Sequence, residues 1–268
     1  MKMDNWTSGA DYDRWMGRWS RLLADEFLSW LSLPPKLRWL DVCCGSGVLS
    51  EAIVERFVPT RIVGVDVSLQ QIEFARAHRA GPFVSFQVGD AMALPFEEGS
   101  FDAVVCGLGL NYLPDPKAAL QGMQRIAAPE GIIAIYVWDY ADGTRFLREF
   151  WDAATAVDPE AAAYDQAHRF ALCNPESLRE LFDSAGLKGV RAQALDIVTR
   201  FISFDDYWQP LLAGQGSAPN YLVSRDEATQ VAIRERLRDA LPACEAGVIE
   251  LPARGWAVSG RRASAEAS

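Results

Sequence analysis

The sequence predicts a doubly wound α/β fold, in which a mostly parallel sheet is covered by helices on both faces. Three observations predict it. Short apolar runs alternate with amphipathic segments from residue 37 to 138. The runs are continuously apolar, as strands buried on both faces are. The first of them opens directly into a glycine-bearing loop, Leu40-Asp41-Val42-Cys43-Cys44-Gly45-Ser46-Gly47, that leads into a helix.

Leu37–Val42 reads as the first strand, and Val48–Phe57 as a helix with Leu49, Ala52, Ile53 and Phe57 on one face. Arg61–Val65 is the second strand and ends in Asp66. Ser68-x-x-Gln71 is a capping box for the second helix. Phe83–Val88 and Phe101–Cys106 are the third and fourth strands. A helix over Pro116–Ile126 and the turn Pro129-Glu130-Gly131 lead to a fifth strand, Gly131–Trp138. Residues 140–173 are helical and rich in alanine and aromatics. Asn174-Pro175 caps another helix, which Gly186 stops. A strand over Gly189–Phe201, a helix from Ser224-x-x-Glu227 to Leu241, and a last strand over Val248–Val258 complete the pattern. We therefore expect one domain over 1–268: an N-terminal helical cap (1–36), a ligand-binding core (37–138) and two helical insertions (140–173 and 205–241).

Composition narrows the function classes. The 268 residues carry a formal net charge of −10 and no Lys/Arg run, which disfavours nucleic acid and anionic lipid as partners. No apolar stretch approaches the roughly 20 residues that span a bilayer. The five cysteines, at 43, 44, 106, 173 and 244, form no C-x-x-C pair. They read as reduced thiols of a cytoplasmic protein, and with only two histidines no metal site is expected.

In a doubly wound sheet, ligands bind outside the carboxyl ends of the strands. Here those ends carry the 43–47 loop, Asp66-Val67, Gly89-Asp90-Ala91 and Cys106-Gly107-Leu108. Glycines let a ligand approach the backbone, and a helix N-terminus offers free N–H groups. A carboxylate after the second strand can accept from both hydroxyls of a ribose. One after the third can accept from an adenine amine while the adjacent N–H donates to a ring nitrogen. Asp41, beneath the loop, either holds it or faces a cationic group.

The blocks Leu40–Gly47, Val63-Gly64-Val65-Asp66-Val67-Ser68, Gly89-Asp90-Ala91-Met92-Ala93-Leu94-Pro95-Phe96 and Phe101–Cys106 resemble the class I S-adenosylmethionine-dependent methyltransferases. Within these the resemblance is to the small-molecule enzymes related to the ubiquinone and menaquinone methyltransferases. It implies a Rossmann-like, seven-stranded sheet whose last strand is antiparallel, S-adenosylmethionine as cofactor, and methyl transfer to a small molecule. It also implies cofactor contacts from Asp41, Cys43, Gly45, Gly47, Asp66, Val67, Gln71, Gly89, Asp90, Ala91, Cys106, Gly107 and Leu108, with Cys43 standing where the family has glycine. Tyr12 and Arg18 are further candidates, Arg18 as partner of the cofactor carboxylate.

Two other readings share the loop. A nicotinamide-dependent oxidoreductase would need G-x-G-x-x-G, but Gly45-Ser46-Gly47 is followed by Val48-Leu49-Ser50. A non-catalytic module that binds S-adenosylmethionine is the other. Methyl transfer needs a side-chain base only if the acceptor must lose a proton. His168, in the first insertion, is the candidate, with Asn111, Tyr112, Asp139 and Tyr140 after strands four and five as others. His78 is expected on a solvated helix face. Aromatic residues of the insertions and N-terminus, such as Trp15, Phe146, Phe201 and Tyr207, suit a roof over an apolar or planar acceptor.

Overall fold

Seven strands form one sheet in the order β3-β2-β1-β4-β5-β7-β6. The strands are β1 (Arg38–Val42), β2 (Arg61–Asp66), β3 (Val84–Val88), β4 (Phe101–Gly107), β5 (Ala127–Trp138), β6 (Lys188–Phe201) and β7 (Ile249–Arg261). The structure is a computed structural model, and it describes residues 13–214, 216–242 and 247–264. Tyr12 and Cys244 lie outside the described residues. β1 to β5 pair in parallel, while β7 runs antiparallel to both β5 and β6. The antiparallel last strand is therefore inserted between β5 and β6.

The helices α1 (Arg18–Leu31), α2 (Val48–Phe57), α3 (Leu69–Arg79), α4 (Pro116–Ile126) and α5 (Arg145–Val157) punctuate the first two-thirds of the chain. Then come α6 (Gln166–Arg169), α7 (Pro175–Ser184), α8 (Phe204–Trp208), α9 (Ser217–Val223) and α10 (Glu227–Ala240). Their starts follow local chemistry. Asp115 accepts from the Ala118 N–H, with Pro116 in the first turn, and Asn174 accepts from the Ser177 N–H, with Pro175 behind it. α10 departs from expectation, because its cap is Asp226, whose carboxylate accepts from the Thr229 N–H at 2.8 Å. Ser224 instead closes α9, its hydroxyl donating to the Tyr221 carbonyl. A carboxylate also complements the helix dipole, so the later acidic cap prevails. No helix among the described residues is long and apolar enough to cross a membrane.

β1 and the latter part of β5 are buried on both faces, as central strands of a covered sheet must be. Edge strand β6 alternates exposed and buried positions in its second half. β5 stops pairing at Trp138, opposite Gly255, whereas β6 and β7 continue to pair from Asp196–Arg254 to Phe201–Ile249. This arm projects past the carboxyl edge of the sheet. Its buried side includes Thr199, Phe201 and Leu251. Phe201 packs on Trp15, Trp19, Phe146 and Tyr207, joining α1, the first insertion and the second. These aromatics are 0–5% exposed, so they are the core of the roof and not its lining.

The opposite flank rests on a smaller contact. The Phe86 ring of β3 is buried with Cys44, Ile72 and Ala75. It lies against Gly47 of the loop and Gly64 of β2, where a β-carbon at Gly64 would stand 2.5 Å from Phe86 Cδ1 and 2.9 Å from Cys44 Sγ. Neither neighbour is a flexible end that can swing aside. Gly64→Ala is therefore expected to cost about 1–3 kcal/mol through overpacking. Urea unfolding of the two proteins checks this.

Candidate active site

In sheet order the chain winds one way through β1, β2 and β3, and then returns to place β4 on the other side of β1. The crevice between the carboxyl ends of β1 and β4 is the topological switch point, where a doubly wound sheet binds ligands. The residues on its rim are the 43–47 loop from β1, Asp66–Ser68 from β2, Gly89–Met92 from β3 and the segment 107–112 from β4.

Backbone bonds fix the loop. The Cys44 N–H donates to the Val65 carbonyl at 3.0 Å, and the Gly47 N–H to the Cys44 carbonyl at 2.8 Å. The Gly45 N–H donates to Asp66 Oδ2 at 2.9 Å. Arg79, on α3, donates to the Ser46 carbonyl at 2.8 Å. Gly45 has φ +52°, and a β-carbon there would meet no described residue within 4 Å, so among the described residues its backbone is open to approach. Gly47 has φ +88° and caps α2, its missing β-carbon leaving room for Phe86.

Two residues beside the switch point are strained. Cys43 (φ +57°) and Leu108 (φ +58°) adopt the left-handed conformation without being glycine. That conformation costs roughly 1–2 kcal/mol for an L-residue. Strain of this kind clusters at functional sites. The β-carbon that Cys43 brings is accommodated by Gly109, where a β-carbon would stand 2.4 Å from it and 3.3 Å from Cys106 Sγ. The neighbouring Cys106 thiol, and then burial, hold the Cys43 thiol protonated, and burial does the same for Cys44. Neither offers a thiolate.

The carboxylates divide the work. Asp66 accepts from Gly45 through Oδ2 and from the Ser68 N–H through Oδ1, both at 2.9 Å. Burial raises its carboxyl above the ordinary range against the pull of these N–H groups. The Ser68 hydroxyl caps α3 by accepting from Gln71, but the Ser68 N–H goes to Asp66 and not back to Gln71, so the capping box is half formed. Asp90 is exposed and accepts from the Met92 N–H through Oδ1 at 2.8 Å. Ala91 beside it is buried. Around the two acids, Val67, Leu69, Val88 and Met92 are apolar side chains left exposed, Val67 by 77%. Leu69 and Val88 carry no motif signal, because nothing in their identity separates a rim residue from a core one.

Asp41 is buried beneath the loop. Its Oδ2 accepts from the Ser50 hydroxyl at 2.7 Å, while Oδ1 has no protein hydrogen-bond partner among the described residues. Burial pushes its carboxyl up to about 7, opposed by Ser50 and reinforced by the charge of Asp66. Ser50 carries no motif signal, but it lies three residues past Gly47 on the helix face turned to the strand.

Two sequence candidates stand apart. Arg18 is committed elsewhere, its guanidinium donating to Asp206 Oδ1 at 2.9 Å and to the Asp206 carbonyl, over the Phe201 ring. The His168 side chain is 68% exposed and lines an open surface cleft with Asp142, Arg145 and Asp152. His78 lies on an exposed helix face. The residues after β4 and β5 do meet. Tyr112 Oη and Tyr140 Oη are 3.2 Å apart, and the Phe170 ring packs on both tyrosines. Arg148 ties α5 to this group, donating to the Tyr140 carbonyl and pairing with buried Asp165 at 2.7 Å.

The raised carboxyl of Asp41 has a consequence for stability. Its folded pKa of about 7 exceeds the ordinary value of 3.8, so between those pH values the folded chain keeps a proton that the unfolded chain has lost. Stability from this group is then greatest below pH 4, falls as pH rises toward 7, and levels off above. In the ligand-free protein, Asp41→Asn should flatten that fall by about 1 kcal/mol per pH unit between pH 5 and 7. Denaturant unfolding across this range measures it.

Comparison with known proteins agrees with the layout. A methyltransferase-domain family model matches residues 40–135. The demethylmenaquinone methyltransferase of Staphylococcus aureus (strain JH9) is 32% identical over 167 residues, covering 58% of this chain and 69% of the relative. Among solved structures, the YcgJ protein of Bacillus subtilis superposes with a TM-score of 0.57 at 14% identity, covering 91% of this chain and 99% of that one. The phosphoethanolamine N-methyltransferase 2 of Haemonchus contortus, in complex with S-adenosyl-L-methionine, gives a TM-score of 0.55 at 16% identity, covering 89% of this chain and 51% of that one. These two share the fold. The dinucleotide alternative is not favoured by any of these matches. From the family match, the curated relative and the sheet they fit, the chain belongs to the class I S-adenosylmethionine-dependent methyltransferases.

Proposed function

We propose that this chain binds S-adenosylmethionine across the β1/β4 switch point and transfers its methyl group to a small apolar or aromatic molecule. The observation that carries the reading is the pairing of the open, left-handed Gly45 with the buried Asp66 carboxylate at adjacent strand ends. The residues fit the cofactor. Asp66 keeps lone pairs for ribose hydroxyls beyond its two backbone bonds. Exposed Val67 and Met92 offer apolar contact for a flat base beside Asp90 and Ala91. Asp41 Oδ1 is a buried polar atom under the loop with no partner among the described residues. Cys106, Gly107 and strained Leu108 border the same crevice from β4. Arg18 would reach a cofactor carboxylate only by leaving Asp206.

When bound, the cofactor supplies a methyl group on a sulfonium, already activated for displacement. The protein's part is to align the acceptor and exclude water. The neutral thiols of Cys43 and Cys44 do not compete as nucleophiles. The helices of 140–173 and 205–241, held on the β6–β7 arm and by the Arg148–Asp165 pair, serve as the lid. We assign no proton transfer to His168, which faces the outer cleft. A ring-bearing acceptor is supported by the half-buried Tyr112 and Phe170 and by the name of the Staphylococcus aureus relative. The free thiols of Cys43, Cys44, Cys106 and Cys173 suit a reducing compartment such as the cytoplasm.

Calorimetric titration with S-adenosylhomocysteine tests the reading. Wild type is expected to bind, and Asp66→Ala to bind about 10- to 100-fold more weakly, the worth of hydrogen bonds to a charged acceptor. Equal affinity in the two proteins, or binding of NAD in place of S-adenosylhomocysteine, would contradict it.

A further inference from the structure

Arg79 is the last residue of α3, and its side chain is only 6% exposed. Its guanidinium spans two partners. Nη1 donates to the Ser46 carbonyl at 2.8 Å, and Nε donates to Glu51 Oε2 at 3.1 Å. Glu51 lies in the first turn of α2, just past the loop, and the same oxygen accepts from Arg21 of α1. Burial acts to raise the Glu51 carboxyl, but Arg21 and Arg79 hold it below the ordinary value, so it is charged at neutral pH. The arginine stem also packs on the loop, since a β-carbon at Gly47 would stand 3.2 Å from Arg79 Cδ. Ser46 is 2% exposed, and a buried carbonyl left without a partner carries a desolvation penalty. The Ser46–Gly47 peptide is therefore fixed at both ends, its oxygen by Arg79 and its N–H by the Cys44 carbonyl. α3 thus holds the loop twice. Near its start it does so through Asp66, which accepts from both Ser68 and Gly45, and at its last residue through Arg79.

We infer that Arg79 is a positioning residue for the cofactor, which orders the 45–47 loop before the ligand arrives. The inference rests on the methyl-transfer reading above, and it adds a residue that lies outside the strand ends and carries no motif signal. A planar guanidinium can serve a carbonyl and a carboxylate at once, whereas the ammonium of a lysine is a point donor. Without Arg79 the Ser46 carbonyl turns toward another donor, and its peptide turns with it. The loop then populates its binding form only part of the time, and the apparent affinity falls by that fraction. Arg21 shares the Glu51 carboxylate from α1, but at 43% side-chain exposure, where an ion pair contributes little.

The test is calorimetric titration of wild type, Arg79→Met and Arg21→Met with S-adenosylhomocysteine, with amide hydrogen exchange of each ligand-free protein beside it. Arg79→Met is expected to bind about tenfold or more weakly, the worth of one charge-assisted hydrogen bond. Its Gly45 and Gly47 amides should exchange at least about tenfold faster than in wild type, beyond any change in the β4 and β5 amides. A merely structural arginine would lower the unfolding midpoint, but it would move neither the affinity of the folded protein nor these two amides selectively. Arg21→Met removes the same charge and should bind within about twofold of wild type. If Arg79→Met does not fold, Arg79→Lys takes its place, with weaker binding and faster exchange of the same two amides expected. The inference is overturned if the folded Arg79 variant binds as tightly as wild type, or if the two amides gain no more than those of the sheet. It is also overturned if Arg21→Met weakens binding as much as the Arg79 variant, since the effect would then be one of net charge. Failure of wild type to bind S-adenosylhomocysteine would instead strike the methyl-transfer reading, and the exchange of Gly45 and Gly47 would still decide whether Arg79 orders the loop.

Discussion

The Asp66 carboxylate holds the N–H of Gly45 with one oxygen and the N–H of Ser68 with the other, while its carbonyl accepts the N–H of Gly89. One residue at the end of β2 thereby fixes the β1 loop, the start of α3 and the turn after β3. The rest of the switch-point rim is assembled on that connection. Burial opposes the charge on Asp66, and the backbone donors compensate it, so the carboxylate stays where a polar ligand could use its remaining lone pairs. Phe86 supports the arrangement from below, filling space that only Gly47 and Gly64 leave.

Strain enters at the two places where the rim does not follow this scheme. Cys43 and Leu108 are left-handed at the ends of neighbouring strands β1 and β4. Gly109 makes the first possible by giving up its own β-carbon to the Cys43 side chain. A left-handed cysteine in the loop is thus matched by a glycine elsewhere, and the loop keeps its course. The roof obeys a different constraint. Its aromatic residues are consumed in joining α1, the two insertions and the projecting β6–β7 arm, which leaves Tyr112 and Phe170 as half-buried rings next to the crevice.

The sheet and its parallel strands were legible because continuous apolar runs and capping residues carry their own physics. Glycine and aspartate are common turn residues singly, so the strand ends were legible only as a set of them at successive strands. What escaped the sequence depends on contacts between distant positions. Asp206 captures Arg18 across 188 residues, and no local pattern announces it. His168 has the chemistry of a base, but its exposure is set by the path of the insertion. Asn111 is a candidate after β4 by position alone, and its burial with both amide atoms unpartnered among the described residues is visible only in the fold. The cap at Asp226 in place of Ser224 shows the same limit on a small scale, where two capping residues stand two positions apart and the tertiary path selects between them.

Where the cofactor binds decides the function proposed for this chain. A crystal structure of the protein with S-adenosylhomocysteine reads it out. The expected result is the ribose hydroxyls on Asp66, the base beside Val67, Ala91 and Met92, and the homocysteine along the Cys43–Gly47 loop toward Leu108. Density for the ligand elsewhere, as in the outer cleft lined by Arg145 and His168, with the β1/β4 crevice free of it, would overturn the proposed site.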